Sequence, residues 1–164
     1  MAKRPGPVPT IISVVRRAAV LMIEDLIARL DAAGFAGLTP AHQAVFENLD
    51  PGGTRLTELA ARAGITRQSM SELVSVLEQR GYLERRPDPS DRRARIVRLT
   101  PAGRQMARRS LKEMAAIEAE WRKRLAREGL NGDIVAALTQ ALATQQPRPA
   151  NIADRARQYP PIST

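Results

Sequence analysis

The sequence predicts a mainly α-helical fold with one small β-hairpin. Several long segments carry apolar residues at helical spacing, and the pair Thr-Pro, a typical helix start, occurs at Thr39-Pro40 and Thr100-Pro101. Only one region, around Ile96 to Leu99, alternates apolar and polar residues next to a turn. Aromatic residues make up 3% of the chain, so the core must consist mainly of Leu, Ile, Val and Ala, which are common in packed helices.

The composition argues against several functional classes. The 164 residues are 43% apolar, enough for one domain with a real core. With no cysteine, and with His42 as the single histidine, we expect no disulfide, no metal site and no bound cofactor. The sequence also lacks a phosphate-binding glycine motif and a nucleophile–base set, so we expect no enzyme. No apolar run of about 18 residues occurs, and the first ten residues lack the apolar core of a signal peptide, so we expect no membrane contact and a cytoplasmic location.

Positive charge is concentrated in the middle of the chain. The net charge is +9, and residues 62–109 contain twelve arginines against five acidic residues, a net +7. A localised basic patch indicates a polyanionic partner, although a solvated basic face would give the same count.

The N-terminal half is predicted as two helices. The first runs from about Thr10 to Ala33, with an apolar stripe broader than one partner helix requires, and Gly34 and Gly37 end it. Thr39 then caps a second helix that runs to about Leu49, followed by a turn over residues 50–53.

Four further segments follow. Thr57 is predicted to cap a short helix that Gly64 ends, and Thr66 to cap the next helix, up to about Arg80. Residues 82–86 and 95–100 then form a hairpin with a long basic tip. A long helix from Thr100-Pro101 reaches about residue 128. A last helix at about 131–145 is predicted to bury its apolar side chains, which are Ile134, Val135, Leu138, Ala141 and Leu142.

The segment 56–80, a helix, a glycine turn and a second helix, predicts a DNA-binding helix-turn-helix. In the second helix Met70, Leu73, Val74 and Leu77 form one apolar stripe. The opposite face carries side chains that are short or planar and form hydrogen bonds: Arg67, Gln68, Ser71, Ser75 and Gln79. Such residues suit base edges and phosphates. The hairpin tip holds Asp91, Arg92 and Arg93, and an exposed arginine there suits the minor groove.

These segments resemble the multiple-antibiotic-resistance regulator (MarR) family. The resemblance is carried by LTELA at 56–60, GITRQS at 64–69, LV at 73–74, LEQRG at 77–81, RRPDPSDRR at 85–93 and VRLTPAG at 97–103. The most specific mark is Asp91-x-Arg93 leading into Leu99-Thr100-x-x-Gly103. The resemblance is strong from about Leu38 to Gly103, and outside that stretch it rests on helix order.

The resemblance implies a winged helix-turn-helix with N- and C-terminal dimerisation helices. It implies a homodimeric repressor that binds pseudo-palindromic double-stranded DNA and is released by a small ligand, often an aromatic acid. The implied boundaries are a flexible lead at 1–9, a dimerisation helix at 10–36, the DNA-binding lobe at 37–103, a linking helix and C-terminal dimerisation helix at 104–145, and a proline-containing tail at 146–164. The implied DNA contacts are Thr66, Arg67, Gln68, Ser69, Ser71 and Ser75 on the recognition helix and Asp91, Arg92, Arg93 and Arg95 on the wing, with Arg93 bracing the wing through Asp91.

Three points stay open at this stage. Glu72, where relatives often have arginine, either accepts from a cytosine amino group or pairs with a neighbouring arginine, and we favour the arginine. An effector pocket would involve Arg16, Arg17, His42 and Phe46, although His42 and Trp121 equally suit structural packing. A nucleoid-type architectural protein of low sequence specificity is the alternative function, because charge alone binds DNA.

Overall fold

The computed structural model describes residues 9–88, 90–91 and 94–143, and it confirms a mainly helical fold with a small winged sheet. The helices are α1 (Ile11–Ala32), α2 (Gln43–Phe46), α3 (Leu56–Ala63), α4 (Arg67–Gln79), α5 (Pro101–Arg127) and α6 (Ile134–Ala143). The strands are β1 (Thr54–Arg55), β2 (Leu83–Pro87) and β3 (Arg95–Leu99).

Threonine side chains begin three helices, and two of these caps, Thr66 and Thr100, are predicted from the sequence. Thr10, Thr66 and Thr100 cap α1, α4 and α5, and each hydroxyl accepts from the backbone N–H three residues further on, at 3.2, 3.1 and 3.0 Å respectively. Gly64 and Gly81 follow α3 and α4 with φ of 66° and 76°, a left-handed conformation that favours glycine and ends a helix.

Three predicted details of the helices are wrong. The second helix is shorter than expected, because a 3₁₀ turn at Pro40–His42 replaces its first turn and α2 ends at Phe46. Thr57 lies inside α3, and the cap position is Arg55, because α3 begins immediately after strand β1. No residue of α6 is buried, so its apolar side chains lie at the surface of the single chain.

The sheet has a third strand that the sequence did not reveal. Its order is β1-β3-β2, all antiparallel, with Thr54 opposite Val97 and Leu83 opposite Leu99. Gly53 makes this pairing possible, since its φ is 98° and a Cβ there would lie 2.9 Å from the Val97 carbonyl oxygen. The wing is therefore hydrogen-bonded to the entry of the helix-turn-helix.

One hydrophobic core joins the helix-turn-helix, the sheet and the start of α5. Its fully buried members come from α2, α3, α4 and β3, and they are Val45, Leu59, Met70, Val74, Leu77 and Val97. Leu30 of α1 and Met106 of α5 extend this core, so both long helices are anchored to the lobe near one end.

A charged network fixes the crossing of α1 and α5. The Arg29 guanidinium lies 3.0 Å from carboxylate oxygens of both Asp25 and Glu120, and 3.8 Å from Glu113. Glu113, which is largely buried, also pairs with Arg109 at 2.7 Å. Hydrogen bonds to Asp25 and then Glu120 raise the pKa of Arg29 above its usual value, so this cation is permanent.

Large apolar side chains are exposed at the two ends of the chain. In α1 they include Ile11 and Ile12, at 83% and 81% exposed, and in α6 they include Leu142, at 71%. Val14, Val15, Val20, Leu21, Leu111, Met114, Leu130, Val135 and Leu138 share this exposure. Within the described ranges, no helix is long and apolar enough to cross a membrane.

Candidate nucleic-acid interface

The recognition helix α4 presents its N-terminal turn to solvent. Met70, Val74 and Leu77 are fully buried, which orients the helix, whereas Thr66, Arg67, Gln68 and Ser69 are exposed. The N-terminus of a helix carries free backbone N–H groups and a partial positive charge. Arg67 adds a full charge to a turn already suited to phosphate.

The middle of the exposed face of α4 carries hydrogen-bond acceptors. The Gln68 side-chain amide donates to a Glu72 carboxylate oxygen at 3.1 Å. The arginine partner favoured for Glu72 from the sequence is therefore wrong, and its partner is a neutral amide one helical turn away. Glu72 remains exposed and charged, so it can still accept from a base amino group.

The side of α4 next to the sheet is held by Arg85 of β2, a contact that sequence reasoning missed. Its Nη2 donates to the Ser71 carbonyl oxygen at 3.0 Å and to the hydroxyls of Ser71 and Ser75 at 3.3 and 3.2 Å. Its Nη1 lies 2.7 Å from a Glu78 carboxylate oxygen. Ser71 and Ser75, predicted as DNA contacts, are therefore half-buried and already bonded within the chain.

The base of the wing is organised by Asp88, which the sequence analysis did not single out. This buried carboxylate accepts from the Ser90 hydroxyl at 2.7 Å, from the Ser90 backbone N–H at 2.8 Å and from Arg55 Nε at 2.6 Å. The two Ser90 hydrogen bonds, followed by that from Arg55, lower the pKa of Asp88 to about 2. The wing is thus fixed to β1 by a carboxylate that stays ionised.

The predicted wing contacts are only partly visible. The Asp91 carbonyl accepts from the Ala94 backbone N–H at 2.9 Å, and Arg95 is exposed at the start of β3. Arg92 and Arg93 lie outside the described residues, so the predicted brace between Arg93 and Asp91 stays a prediction.

Comparisons with known proteins agree with this geometry. A model of the MarR family matches residues 36–94, the range from the start of the lobe to the foot of β3. Over these residues the chain is similar to the MarR family. No curated protein sequence gives a significant match.

Solved MarR-like structures superpose over most of the chain. The transcriptional repressor CouR, solved on a 23-mer DNA duplex, is 29% identical, covers 82% of this chain and 91% of its own, and gives a TM-score of 0.60. The transcriptional regulator PA4135 is 25% identical over 85% of this chain and 100% of its own, with a TM-score of 0.62. CouR from Rhodococcus jostii RHA1 bound to p-coumaroyl-CoA is 19% identical over 94% and 95%, with a TM-score of 0.61, and this last match shows the fold alone.

The residues predicted to hold an effector lie in different surroundings. His42 is buried, and its Nδ1 accepts from the Thr39 backbone N–H at 3.0 Å. Burial, and then the charge of Arg80, lower the pKa of His42, so it is a neutral structural residue at pH 7. Phe46 packs against the core, whereas Arg16 is exposed on α1, about 21 Å along the axis from Leu30 at 1.5 Å per residue.

One open cleft of about 460 Å³ lies between the α2 region and α4. It is lined mainly by apolar groups, together with Glu72 and Ser69. The lining residues are Ala41, Ala44, Ile65, Ser69, Glu72, Leu73 and Val76.

Trp121 lies far along α5, where Arg124 stacks over its ring at 5.6 Å. In the part of the chain that the structure describes, no group of three or more His, Asp or Glu residues is arranged to hold a metal ion.

Proposed function

We propose that this protein is a sequence-specific transcription regulator that binds double-stranded DNA as a homodimer. The observation that carries the proposal is the recognition helix. Arg67, Gln68 and Ser69 are exposed at its N-terminus, while the buried face fixes its orientation. The likeness to CouR, solved on a DNA duplex at 29% identity, supports the same use of this surface.

The DNA contacts divide by chemistry. The free N–H groups of the first turn and Arg67 suit phosphate or guanine, whereas Gln68 and Glu72 offer acceptors to base amino groups. Arg95, and the predicted tip residues Arg92 and Arg93, would serve the minor groove. Phosphate contacts position the protein, and the base-edge contacts supply specificity.

Dimerisation follows from the exposed apolar ends. Ile11 and Ile12 on α1 and Leu142 on α6 are among the most exposed large apolar side chains, and exposed apolar surface of this kind is typical of an interface. Joining two lobes makes the second binding event intramolecular, which raises apparent affinity by about 10²–10⁴. Two-fold symmetry would set the two recognition helices about one helical turn of DNA apart.

Relief of binding by a small aromatic acid is the finer part of the proposal. It is supported by the structure of NadR in complex with 4-hydroxyphenylacetate, which shares the fold at 19% identity. Arg16 lies about 21 Å along α1 from Leu30, which belongs to the core that Phe46 packs against, so a pocket that includes both Arg16 and Phe46 would need α1 of the second subunit. Titrating 4-hydroxyphenylacetate into the protein–DNA complex tests this directly. By linkage, the factor by which the effector weakens DNA binding must equal the factor by which DNA weakens effector binding.

The deciding experiment is selection of duplexes from a random pool by the purified protein, followed by affinity measurements at several salt concentrations. We expect an inverted-repeat motif and at least about a thousandfold preference over random DNA. Arg67→Ala should lower affinity for the selected site by about 1–3 kcal/mol, roughly 5- to 150-fold. Arg127→Ala removes the same charge at the far end of α5 and serves as the matched control.

An architectural protein of low specificity is the competing function, favoured by the net charge of +9. It predicts no enriched motif, a specificity ratio near one, and equal effects of Arg67→Ala and Arg127→Ala. The dimer is tested by sedimentation: Leu138→Glu should yield monomers that bind the motif at least a hundredfold more weakly, whereas Gln140→Glu on the same helix should not.

A further inference from the structure

The Arg85 contact controls which hydrogen bonds the recognition helix can offer. A guanidinium only donates, so the Ser71 and Ser75 hydroxyls act as acceptors toward Arg85 Nη2, at 3.3 and 3.2 Å. The Ser75 proton is also committed, because that hydroxyl donates to the Ser71 carbonyl oxygen at 2.8 Å. Ser75 is therefore satisfied within the helix.

Ser71 is left in a different state. Its hydroxyl accepts from Arg85, and among the described residues no hydrogen bond uses its own proton. Arg85 therefore occupies one of the two lone pairs of the Ser71 hydroxyl and leaves its O–H proton available to a partner outside the chain. Such a donor fits a DNA acceptor, whether a purine N7, a thymine O4 or a phosphate oxygen.

The attachment of Arg85 is firm enough to hold the Ser71 hydroxyl in this arrangement. The side chain is about three-quarters buried, and it spans two turns of α4 by contacting Ser71, Ser75 and Glu78. Its Nε is buried without a hydrogen-bond partner among the described residues, an unfavourable arrangement that the other contacts offset. On the next position of β2, Arg86 is exposed and pairs with Glu84, so it has no such role.

We propose that Arg85 is a positioning residue for DNA recognition that fixes Ser71 as a hydrogen-bond donor to an acceptor on the DNA. This rests on the proposed function, since it assigns part of the specificity of the same helix. Arg85 itself need not touch the DNA. Its loss would free both lone pairs of the Ser71 hydroxyl and let the O–H rotate, which weakens its preference for a DNA acceptor over an amino group.

The test compares Arg85→Gln with Ser71→Ala, their double variant and the control Arg86→Gln, on the selected motif and its single-base variants. Arg85→Gln and Arg86→Gln remove the same charge from neighbouring positions of one strand. One hydrogen bond is worth about 0.5–1.5 kcal/mol, so we expect Ser71→Ala and Arg85→Gln each to lose about 2- to 13-fold more specific affinity than Arg86→Gln. In the Ser71→Ala background, Arg85→Gln should then add no more than Arg86→Gln does.

The pattern of loss identifies the acceptor. Loss of preference at one base pair means a base edge, and an equal loss on every sequence means a phosphate. Arg85→Lys, which keeps the charge but not the forked geometry, should behave as Arg85→Gln toward discrimination, and it replaces Arg85→Gln if that variant melts early.

Additive effects in the double variant, or a folded Arg85→Gln variant that loses no more affinity than Arg86→Gln, would overturn the role of Arg85 while leaving the regulator function intact. A wild-type protein that enriches no motif would overturn both. The two failures are therefore distinguishable.

Discussion

Replacing Gly103 by alanine should unfold the junction between the wing and α5. A Cβ built at Gly103 would lie 2.0 Å from the Tyr82 carbonyl oxygen and 2.9 Å from its carbonyl carbon. These are backbone atoms, so α5 must move by about 1 Å to restore a normal contact. The same oxygen accepts from the Thr100 backbone N–H at 3.0 Å, and the Thr100 hydroxyl caps Gly103, so this movement breaks both hydrogen bonds.

The magnitude follows from these contacts. Overpacking costs about 1–3 kcal/mol, and loss of the Thr100 cap costs about 1 kcal/mol. Alanine recovers about 0.8–1 kcal/mol through its helix propensity, which leaves a net loss of about 1–3 kcal/mol in the free energy of unfolding. For a chain of this size the melting temperature should fall by about 2–12 °C.

Thermal melts by circular dichroism at one fixed protein concentration measure this effect. Gly132→Ala is the matched control, since its added Cβ meets no atom within 4 Å and the backbone there needs no positive φ. Equal melting temperatures for the two variants would refute the reasoning, because the clash would then be relieved without breaking the junction.

Three further substitutions test single groups. His42→Asn keeps an acceptor for the Thr39 N–H. Because the pKa of the buried His42 lies below 6.5, protonation favours unfolding, and wild-type stability should fall as the pH drops below about 6.5. Urea titrations from pH 8 to 5 should show a smaller fall in the variant. Asp88→Asn should lower the stability of the protein above about pH 4. The pKa of Asp88 in the fold is about 2, so the advantage of the wild type should disappear as the pH falls from about 4 to 2. Equal urea midpoints at pH 6 would contradict the role assigned to this carboxylate. Glu72→Gln should raise affinity for random duplex DNA about fivefold at low salt, because the repulsion between a carboxylate and a phosphate about 4 Å apart in water is worth about 1 kcal/mol. Fluorescence-anisotropy titrations should show that this gain disappears at high salt.

Local chemistry made much of the lobe predictable. Thr66 and Thr100 cap their helices through side chains that reach only three residues along the chain, and Gly64 ends α3 through its own backbone. The apolar stripe of α4 was also correct, because Met70, Val74 and Leu77 repeat at a helical period that packing preserves.

The parts that were missed depend on contacts between distant residues. Strand β1 has only two residues, Thr54 and Arg55, too short for an alternating pattern, and it forms because β3 lies beside it. Arg55 reaches Asp88 and Arg85 reaches Ser71 across long sequence separations, so neither pair has a local signature. The sequence predicts that the apolar side chains of α6 are buried, but they are exposed in the single chain. The spacing of apolar residues is the same whether they face a core or an interface.

The central place of β3 in the sheet has a consequence for hydrogen exchange. Strand β3 pairs with β1 on one side and β2 on the other, and it leads directly into the cap of α5. Its amides are protected from both edges, so they should open only when the lobe unfolds as a whole. Slow exchange along β3, beside fast exchange in α6 of any dissociated subunit, would mark the lobe as one cooperative unit that carries its wing, recognition helix and linking helix together.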